Sequence, residues 1–491
     1  ISAGATSGTF TIPVLADSTS EADEVVTVKF TRPSNAFVSP TDGLIESNNY
    51  ITTATLTISD DDALSFTAAD IATNADGAYD VFVADMDGDG DLDIVSANSL
   101  EDTVSWYEND GAANPSFTAS DIATGLNFVW NIQVGDIDDD GDLDIVAGAT
   151  ENTPGQASLY LLENNGEANP SWSSTVLSTS LGGSVAPYIG DLDADGDLDI
   201  IAGSSEDDKI TWFENNGAAD PGFTTTLIGT SGDGPSSVHM ADLDSDGDQD
   251  ILSTSSIDGK VVWYENNGAA DPTFSSADIA QIFADPWDLE VEDMDKDGDL
   301  DIIIADYDQG GTAAATISWL ENSGAADPTF TLRNISNTAD SPFDVEIGDF
   351  DNDGDLDIIS ASRDDDKVAV YENNGAADPT FTPIDIATSA DAAFGVFLAD
   401  LDNDGDLDIV SASSNDDTIA WYENNCDGND PLIFDLDNDG IELLSIKEKV
   451  LFDVDVDGDL EITGWTAPED GLLVMDLNND GLINDMSEVF S

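Results

Sequence analysis

Aspartates spaced two apart are the most repeated chemistry in the chain. Asp85, Asp87, Asp89 and Asp93 stand in the run Asp85-Met-Asp-Gly-Asp-Gly-Asp-Leu-Asp93. Carboxylates at this spacing in a tight loop turn their oxygens toward a common centre, and Gly90 permits a turn that an L-residue would resist. A hard cation that takes roughly six to eight oxygen ligands is caged in this way, and the spacing suits calcium better than magnesium, which keeps more of its own water.

The run returns in the same frame six more times, at offsets of 51, 55, 51, 51, 56 and 51 residues. The further sets are Asp136, Asp138, Asp140 and Asp144; Asp191, Asp193, Asp195 and Asp199; Asp242, Asp244, Asp246 and Asp250; Asp293, Asp295, Asp297 and Asp301; Asp349, Asp351, Asp353 and Asp357; and Asp400, Asp402, Asp404 and Asp408. One such match would carry little weight in so acidic a chain, whereas seven complete ones are not an accident of composition. By analogy with the EF-hand loop, positions one, three and five give side chains, position seven (Asp91 in the first loop) gives its backbone carbonyl, and Asp93 fills the ninth position.

The elements that must position these loops are legible around them. In the first unit Leu64-Ser-Phe-Thr67 leads to Asp70-Ile-Ala-Thr73, then Val81-Phe-Val-Ala84, the loop, Asp93-Ile-Val-Ser-Ala97 and Thr103-Val-Ser-Trp-Tyr-Glu-Asn109. Turns of the form Asn-Gly-Ala-Ala-Asp-Pro follow, at Asn216–Pro221, Asn267–Pro272 and Asn374–Pro379, and mark the unit boundary. Four short strands per unit, repeated seven times, predict an all-β, seven-bladed β-propeller over residues 63–425. An outer strand precedes the first loop and none follows the seventh Trp421-Tyr-Glu-Asn424, so residues 64–67 are expected beside residues 418–424, closing the ring and hiding its edges. The unit resembles the FG-GAP or VCBS repeat of integrin α-like propellers, which implies a calcium-stabilised propeller used in adhesion.

Two other patterns recur. Trp106, Trp212, Trp263, Trp319 and Trp421 share one strand position with Leu161 and Val370. The apolar substitutes indicate packing between blades. Six residues before each first aspartate lie Tyr79, Trp130, Val185, Ser236, Trp287, Phe343 and Phe394. That position opens the innermost strand, at the central mouth opposite the loops. Tyr79, Trp130, Trp287, Phe343 and Phe394 are the candidate ligand-binding set, with an apolar plug of the channel as the competing reading. The second and fifth units also carry longer connections, Glu151–Gln156 and Tyr307–Thr312, expected on the same face.

Residues 1–62 alternate as strands at Thr9–Leu15, Val25–Phe30 and Thr53–Ser59, with acidic residues between and after them. This segment resembles the second half of a Calx-β sandwich. From residue 426 three more calcium-type loops appear: Asp435, Asp437 and Asp439; Asp453, Asp455, Asp457 and Glu461; and Asp476, Asn478 and Asp480. The last continues to Glu488, one place later than an EF-hand loop requires. The block resembles a calcium-binding module of haemolysin (RTX)-type secreted proteins.

Composition narrows the partners. Against 105 acidic residues stand ten Lys and Arg, a formal charge of −95. Nucleic acid and anionic membranes need clustered basic residues and are excluded as partners. The metal-free chain repels itself, so bound Ca²⁺ is expected to be part of the fold. One cysteine, Cys426, rules out an internal disulfide framework, and no apolar run is long enough to span a bilayer. The chain begins at Ile1 and reads as a piece of something longer, extracellular or on a bacterial surface. The only histidine, His239, is expected to be buried in an inner strand, and no Ser/His/Asp arrangement is visible. The reading is an adhesive calcium-binding module with a glycan or cell-surface protein as partner, beside other domains of its own chain. A structural spacer and a propeller lyase or hydrolase are the alternatives.

Overall fold

The second strand of each unit is an unbroken run of apolar and small residues, and the structure covers both of its faces. Every residue of Asp93–Asn98, Asp199–Ser204, Asp357–Ser362 and Asp408–Ser413 is buried. A strand sandwiched between two sheets reads as continuous rather than alternating. The outer strands differ, since Phe117–Thr124 and Thr224–Gly229 are mostly exposed. The computed structural model describes residues 66–425 except 113, 151–155, 168, 270–271, 283–284, 308–315, 326–327 and 377–378, with a few backbone strands outside that span.

Seven four-stranded antiparallel sheets form the blades. Their inner strands are Ala78–Ala84, Val129–Gly135, Val185–Gly190, Pro235–Ala241, Asp285–Glu292, Pro342–Gly348 and Ala393–Ala399, for blades 1 to 7. Each blade runs outward in chain order, except that the seventh takes its outer strand from the other end of the propeller. That strand is Phe66–Ala72, in register with Asn424 through Ile419. Leu64 lies outside the described residues, and the two pieces read separately in the sequence are one strand. Ala75 N–H also donates to the Asp417 carbonyl (2.9 Å), and Gly77 N–H to its Oδ1 (3.1 Å). The first inner strand lies beside the seventh, so the ring is closed.

The core lies between blades. Trp106 of blade 1 packs with Leu126, Val129, Ile132 and Ile145 of blade 2. Trp212, Trp263, Trp319, Trp421, Leu161 and Val370 are also at most 5% exposed, which bears out the packing role of that position.

Residues Ser65–Asn425 are one compact unit. Outside it Glu24–Lys29 pairs antiparallel with Thr53–Ile58. Short ladders join Ile433–Phe434 to Gly471–Leu472, Leu443–Leu444 to Trp465–Thr466, and Val450–Phe452 to Glu461–Thr463. The strand expected at 9–15, Cys426 and the side chains of the three C-terminal loops lie outside the described residues. No helix occurs among the described residues, and none there is long and apolar enough to cross a membrane.

Candidate functional site

Each acidic loop leaves the end of an inner strand, and its backbone wraps the first aspartate. In blade 1 Asp89 N–H donates to Asp85 Oδ1 and Gly90 N–H to Asp85 Oδ2, both at 3.1 Å. Asp89 N–H also reaches Asp87 Oδ1 (3.2 Å), and Asp91 N–H reaches Asp89 Oδ1 (3.0 Å). The fourth position is left-handed throughout, from φ 56° at Asn352 to 73° at Gly88, and Gly90 has φ 101°. These turns fold the carboxylates inward on one side. The seventh-position carboxylate of Asp91 lies against Gly111, where an added Cβ would come within 2.0 Å of its Oδ2.

The donor set fits a hard cation. Ligand oxygens of Asp85, Asp87 and Asp93 lie within 4.8 Å of one another, as do those of Asp191, Asp193 and Asp199. In three other loops the grouped oxygens belong to positions one, three and five: Asp136, Asp138 and Asp140; Asp242, Asp244 and Asp246; and Asp293, Asp295 and Asp297. Asp193, Asp295 and Asp402, all at position three, each carry a buried Oδ1 that accepts no well-formed hydrogen bond among the described residues. A buried, unsatisfied carboxylate oxygen is costly unless a cation meets it.

The ninth-position aspartate is the most enclosed of the set. Asp93, Asp144, Asp199, Asp250, Asp301, Asp357 and Asp408 are at most 1% exposed. Burial pushes Asp93 up to about 7 and Asp357 up to about 8, although backbone N–H donors pull both down. A divalent ion in the loop would reverse that balance by its own charge.

One set of residues was missed in the sequence. The Asn that ends each third strand donates its backbone N–H to the ninth aspartate of its own blade, at 2.7–2.8 Å in all seven. Its side-chain Nδ2 donates to the second-position carbonyl in the preceding blade's loop. Asn164 reaches Met86, Asn215 reaches Ile137, and Asn109 closes the ring on Leu401. The same bond links Asn266 to Leu192, Asn322 to Leu243, Asn373 to Met294 and Asn424 to Phe350. The available signal was that Asn persists in every unit, even after Leu161 and Val370 replace Trp. Lys296 adds a further link by donating to Gly354 and Asp355 of the next blade's loop.

At the opposite mouth the five candidate aromatics meet one another. Tyr79 stacks on Phe394 (4.1 Å), Phe343 meets Phe394 (4.6 Å) and Trp287 (4.7 Å), and Trp130 meets Trp287 (6.4 Å) and Tyr79 (6.3 Å). Trp130, Phe343 and Phe394 are 6–8% exposed, while Tyr79 and Trp287 are half-buried. Val185 and Ser236, at the same position, are buried. The longer connections of blades 2 and 5 fall at 151–155 and 308–315, outside the described residues. Exposed apolar side chains flank the mouth: Leu100 (60%) and Ile257 (68%) on turns between second and third strands, and Phe128 (42%) just before an inner strand.

His239 stands on an inner strand as expected, with its side chain 13% exposed. It lines the channel below the aromatics, with Nε2 3.1 Å from the Tyr188 hydroxyl and 3.6 Å from Glu290. An inner strand presents alternate residues to the channel rather than to the neighbouring blade, which the sequence pattern did not distinguish.

Models of the FG-GAP-like repeat match residues 85–147, 140–202, 191–253, 242–304, 293–360 and 349–411, and the SPM domain matches 432–491. An iron-regulated protein, FrpA, of Neisseria meningitidis serogroup C is 48% identical over 63 residues, which is 12% of this chain and 6% of that protein. Among solved structures, BBS1N from a complex with ARL6DN is similar at 11% identity and TM-score 0.47, over 73% of this chain and 96% of the other. A lectin of Agrocybe aegerita that recognises non-reducing terminal N-acetylglucosamine is similar at 15% identity and TM-score 0.45, over 83% and 96%.

Proposed function

The chain belongs to the FG-GAP-like repeat family, and from that premise we propose that it is a calcium-loaded extracellular adhesion module. Its propeller holds one Ca²⁺ in each of the seven aspartate loops. The observation that carries this reading is the cluster of converging carboxylates, with a buried third-position oxygen left unpartnered among the described residues in three of the loops, at Asp193, Asp295 and Asp402. Calcium would be held by the side chains at positions one, three, five and nine and would supply charge neutralisation, not a reaction step. Asp435, Asp453 and Asp476 open three further loops, and a Calx-β-like segment precedes the propeller; both are read as calcium modules of the same long, secreted or surface-anchored chain.

The partner, a neutral glycan or a cell-surface protein, docks on the face opposite the loops. Half-buried Tyr79 and Trp287, with exposed Leu100, Phe128 and Ile257, offer apolar and aromatic anchors there. Trp130, Phe343 and Phe394 support them from beneath. The loop face offers carboxylates instead and repels a polyanion unless calcium bridges it.

A triple change Leu100→Ser, Phe128→Ser, Ile257→Ser tests the docking face on a glycan array and a panel of surface proteins. Loss of binding with unchanged calcium-dependent melting supports it; retained binding sinks it. Calorimetric titration of the metal-free chain with Ca²⁺ tests the loops, and fewer than seven propeller-dependent sites would require revision.

A further inference from the structure

The Asn that ends each third strand is enclosed, 0–7% exposed in all seven blades. Its two Nδ2 protons go to two different loops. One reaches the position-two carbonyl of the preceding blade's loop, and the other reaches the position-eight carbonyl of its own. Asn215 of blade 3 spans Ile137 (2.7 Å) and Leu198 (3.0 Å), and Asn266 of blade 4 spans Leu192 (3.3 Å) and Gln249 (2.9 Å). Oδ1 is used as well, since Gly217 N–H donates to Asn215 (3.3 Å) and Gly268 N–H to Asn266 (3.2 Å). Every side-chain polar atom of these two residues is engaged, and each ties two loops together.

The ninth-position aspartate carries the chain of bonds onward. Its Oδ1 takes the Asn N–H of its own blade, and its Oδ2 takes the N–H of the position-two residue in the same loop. That second bond measures 3.1–3.3 Å in blades 1, 2, 3, 4, 6 and 7. In blade 5 Asp301 Oδ2 has no well-formed partner among the described residues. The position-two residue then gives its carbonyl to the Asn of the next blade. A belt of hydrogen bonds so runs round the ring, from loop to Asn to aspartate to loop, complete but for that one link. The position-two peptide lies between the first and third carboxylates, and the belt passes through the ninth.

We propose that calcium loading is cooperative between adjacent blades, with these asparagines as positioning residues that couple one loop to the next. The proposal rests on the reading of the loops as calcium sites. Without a cation, carboxylates two residues apart repel one another and loosen the turn. The position-two carbonyl then leaves the Asn of the next blade, and a buried donor left without its acceptor is unfavourable. A cation held by positions one and three fixes the peptide between them. That fixes the neighbour's Asn, which orients the ninth-position aspartate and the position-eight carbonyl of the neighbour's loop. The second loop has less disorder to lose when its own cation arrives, which is positive cooperativity without a change of fold. Repeat proteins couple their units through nearest-neighbour interfaces in this way. Each bound ion also weakens the attraction of the acidic chain for the next, but that opposing effect acts through solvent and is screened by salt. The belt is buried and is not. The propeller therefore fills over a narrower range of calcium concentration than seven independent sites would.

Hydrogen exchange of the full chain, read loop by loop against free Ca²⁺, tests this in about 1 M KCl, where a Debye length of about 3 Å removes the opposing effect. Each loop is expected to gain protection with a Hill coefficient above that of a single site. Asp193→Asn removes the blade 3 site. It is expected to raise the calcium midpoints of the loops at 136–144 and 242–250 by about threefold to tenfold, the equilibrium worth of one net hydrogen bond. The loop at 400–408, across the ring, is expected to move less. In an Asn215→Ala background, which keeps every carboxylate, Asp193→Asn should no longer shift 136–144 but should still shift 242–250, because Asn266 still joins blades 3 and 4. Single-site slopes with unmoved neighbours overturn the proposal, as does a shift at 136–144 that survives Asn215→Ala. An equal shift in all loops, the mark of global unfolding, overturns it too. Protection that ignores calcium in every loop overturns the calcium reading itself, and the proposal with it.

Discussion

The propeller holds two populations of carboxylates that answer the same problem differently. In the loops, aspartates two residues apart in one turn are wrapped by the N–H groups of that turn. In the channel, Asp80, Asp288 and Asp344 come from blades far apart in sequence, and each accepts an N–H from the blade beside it. The loops gather negative charge where solvent and a divalent ion can reach it. The channel gathers it in an enclosure with no Lys or Arg among its lining residues, where His239 beside Glu290 is the one basic side chain. Acidity alone therefore does not define one kind of site; what decides is whether the surrounding donors are local or come from a neighbouring blade.

The largest expected effect would break the comparison from the loop side. Chelation with EDTA should lower the melting temperature steeply relative to millimolar Ca²⁺. Each native-only site contributes about 2.7 kcal/mol at a hundredfold excess of ligand over Kd. Calorimetry that gives the same midpoint in both conditions would remove calcium from the fold.

Next comes the aromatic lid. Replacing Trp130 and Trp287 together with Ala opens the channel mouth, and the loss of a buried Trp costs about 3–5 kcal/mol. The expected outcome is a lower melting temperature in Ca²⁺ as well as loss of partner binding. Lost binding with unchanged melting would make the two rings contact residues only.

A smaller effect sharpens the contrast between local and cross-blade bonding. Asn164→Ala leaves the Met86 and Leu143 carbonyls without their side-chain donor, for a loss of about 1–3 kcal/mol. Hydrogen exchange should show blades 1 and 2 loosened first, and uniform exchange around the ring would contradict a link between neighbouring loops.

The channel carboxylates have a pH signature of their own. Asp80 and Asp288 are raised to about 7 and about 6, chiefly by burial, and Asp344 and Glu346 lie well above the ordinary range. Groups raised in the folded state bind protons that the unfolded chain has released. Their stabilisation is complete below the ordinary carboxylate pKa and is lost as pH rises through about 6 to 7. In saturating Ca²⁺, stability should fall between pH 5 and pH 8, and Asp344→Asn should flatten that slope. The carboxylates facing Asp344 are Asp80, Asp288 and Glu346, with Glu290 raising Asp288 and Glu346 in turn. A slope unchanged by the substitution would assign the effect to other groups.

Sequence alone determined what is written within about ten residues. Loop spacing, Gly90, the Asn-Gly turns and the strand pieces are local, and seven repeats of them leave few topologies; even the ring closure followed from counting strands. The burial of Trp106 and its equivalents was legible because apolar residues replace it in two units. Tertiary structure decided the rest. It turned Asn109 and its six counterparts into bonds between adjacent loops, because a side chain reaching into the preceding blade leaves no periodic trace beyond its persistence. It brought Tyr79, Trp130, Trp287, Phe343 and Phe394 into mutual contact, and it put His239, expected buried in an inner strand, on the channel wall. Asp80, Asp288 and Asp344 share one enclosure only because the sheets close into a ring, and a position along a strand does not reveal which neighbour's N–H it will meet.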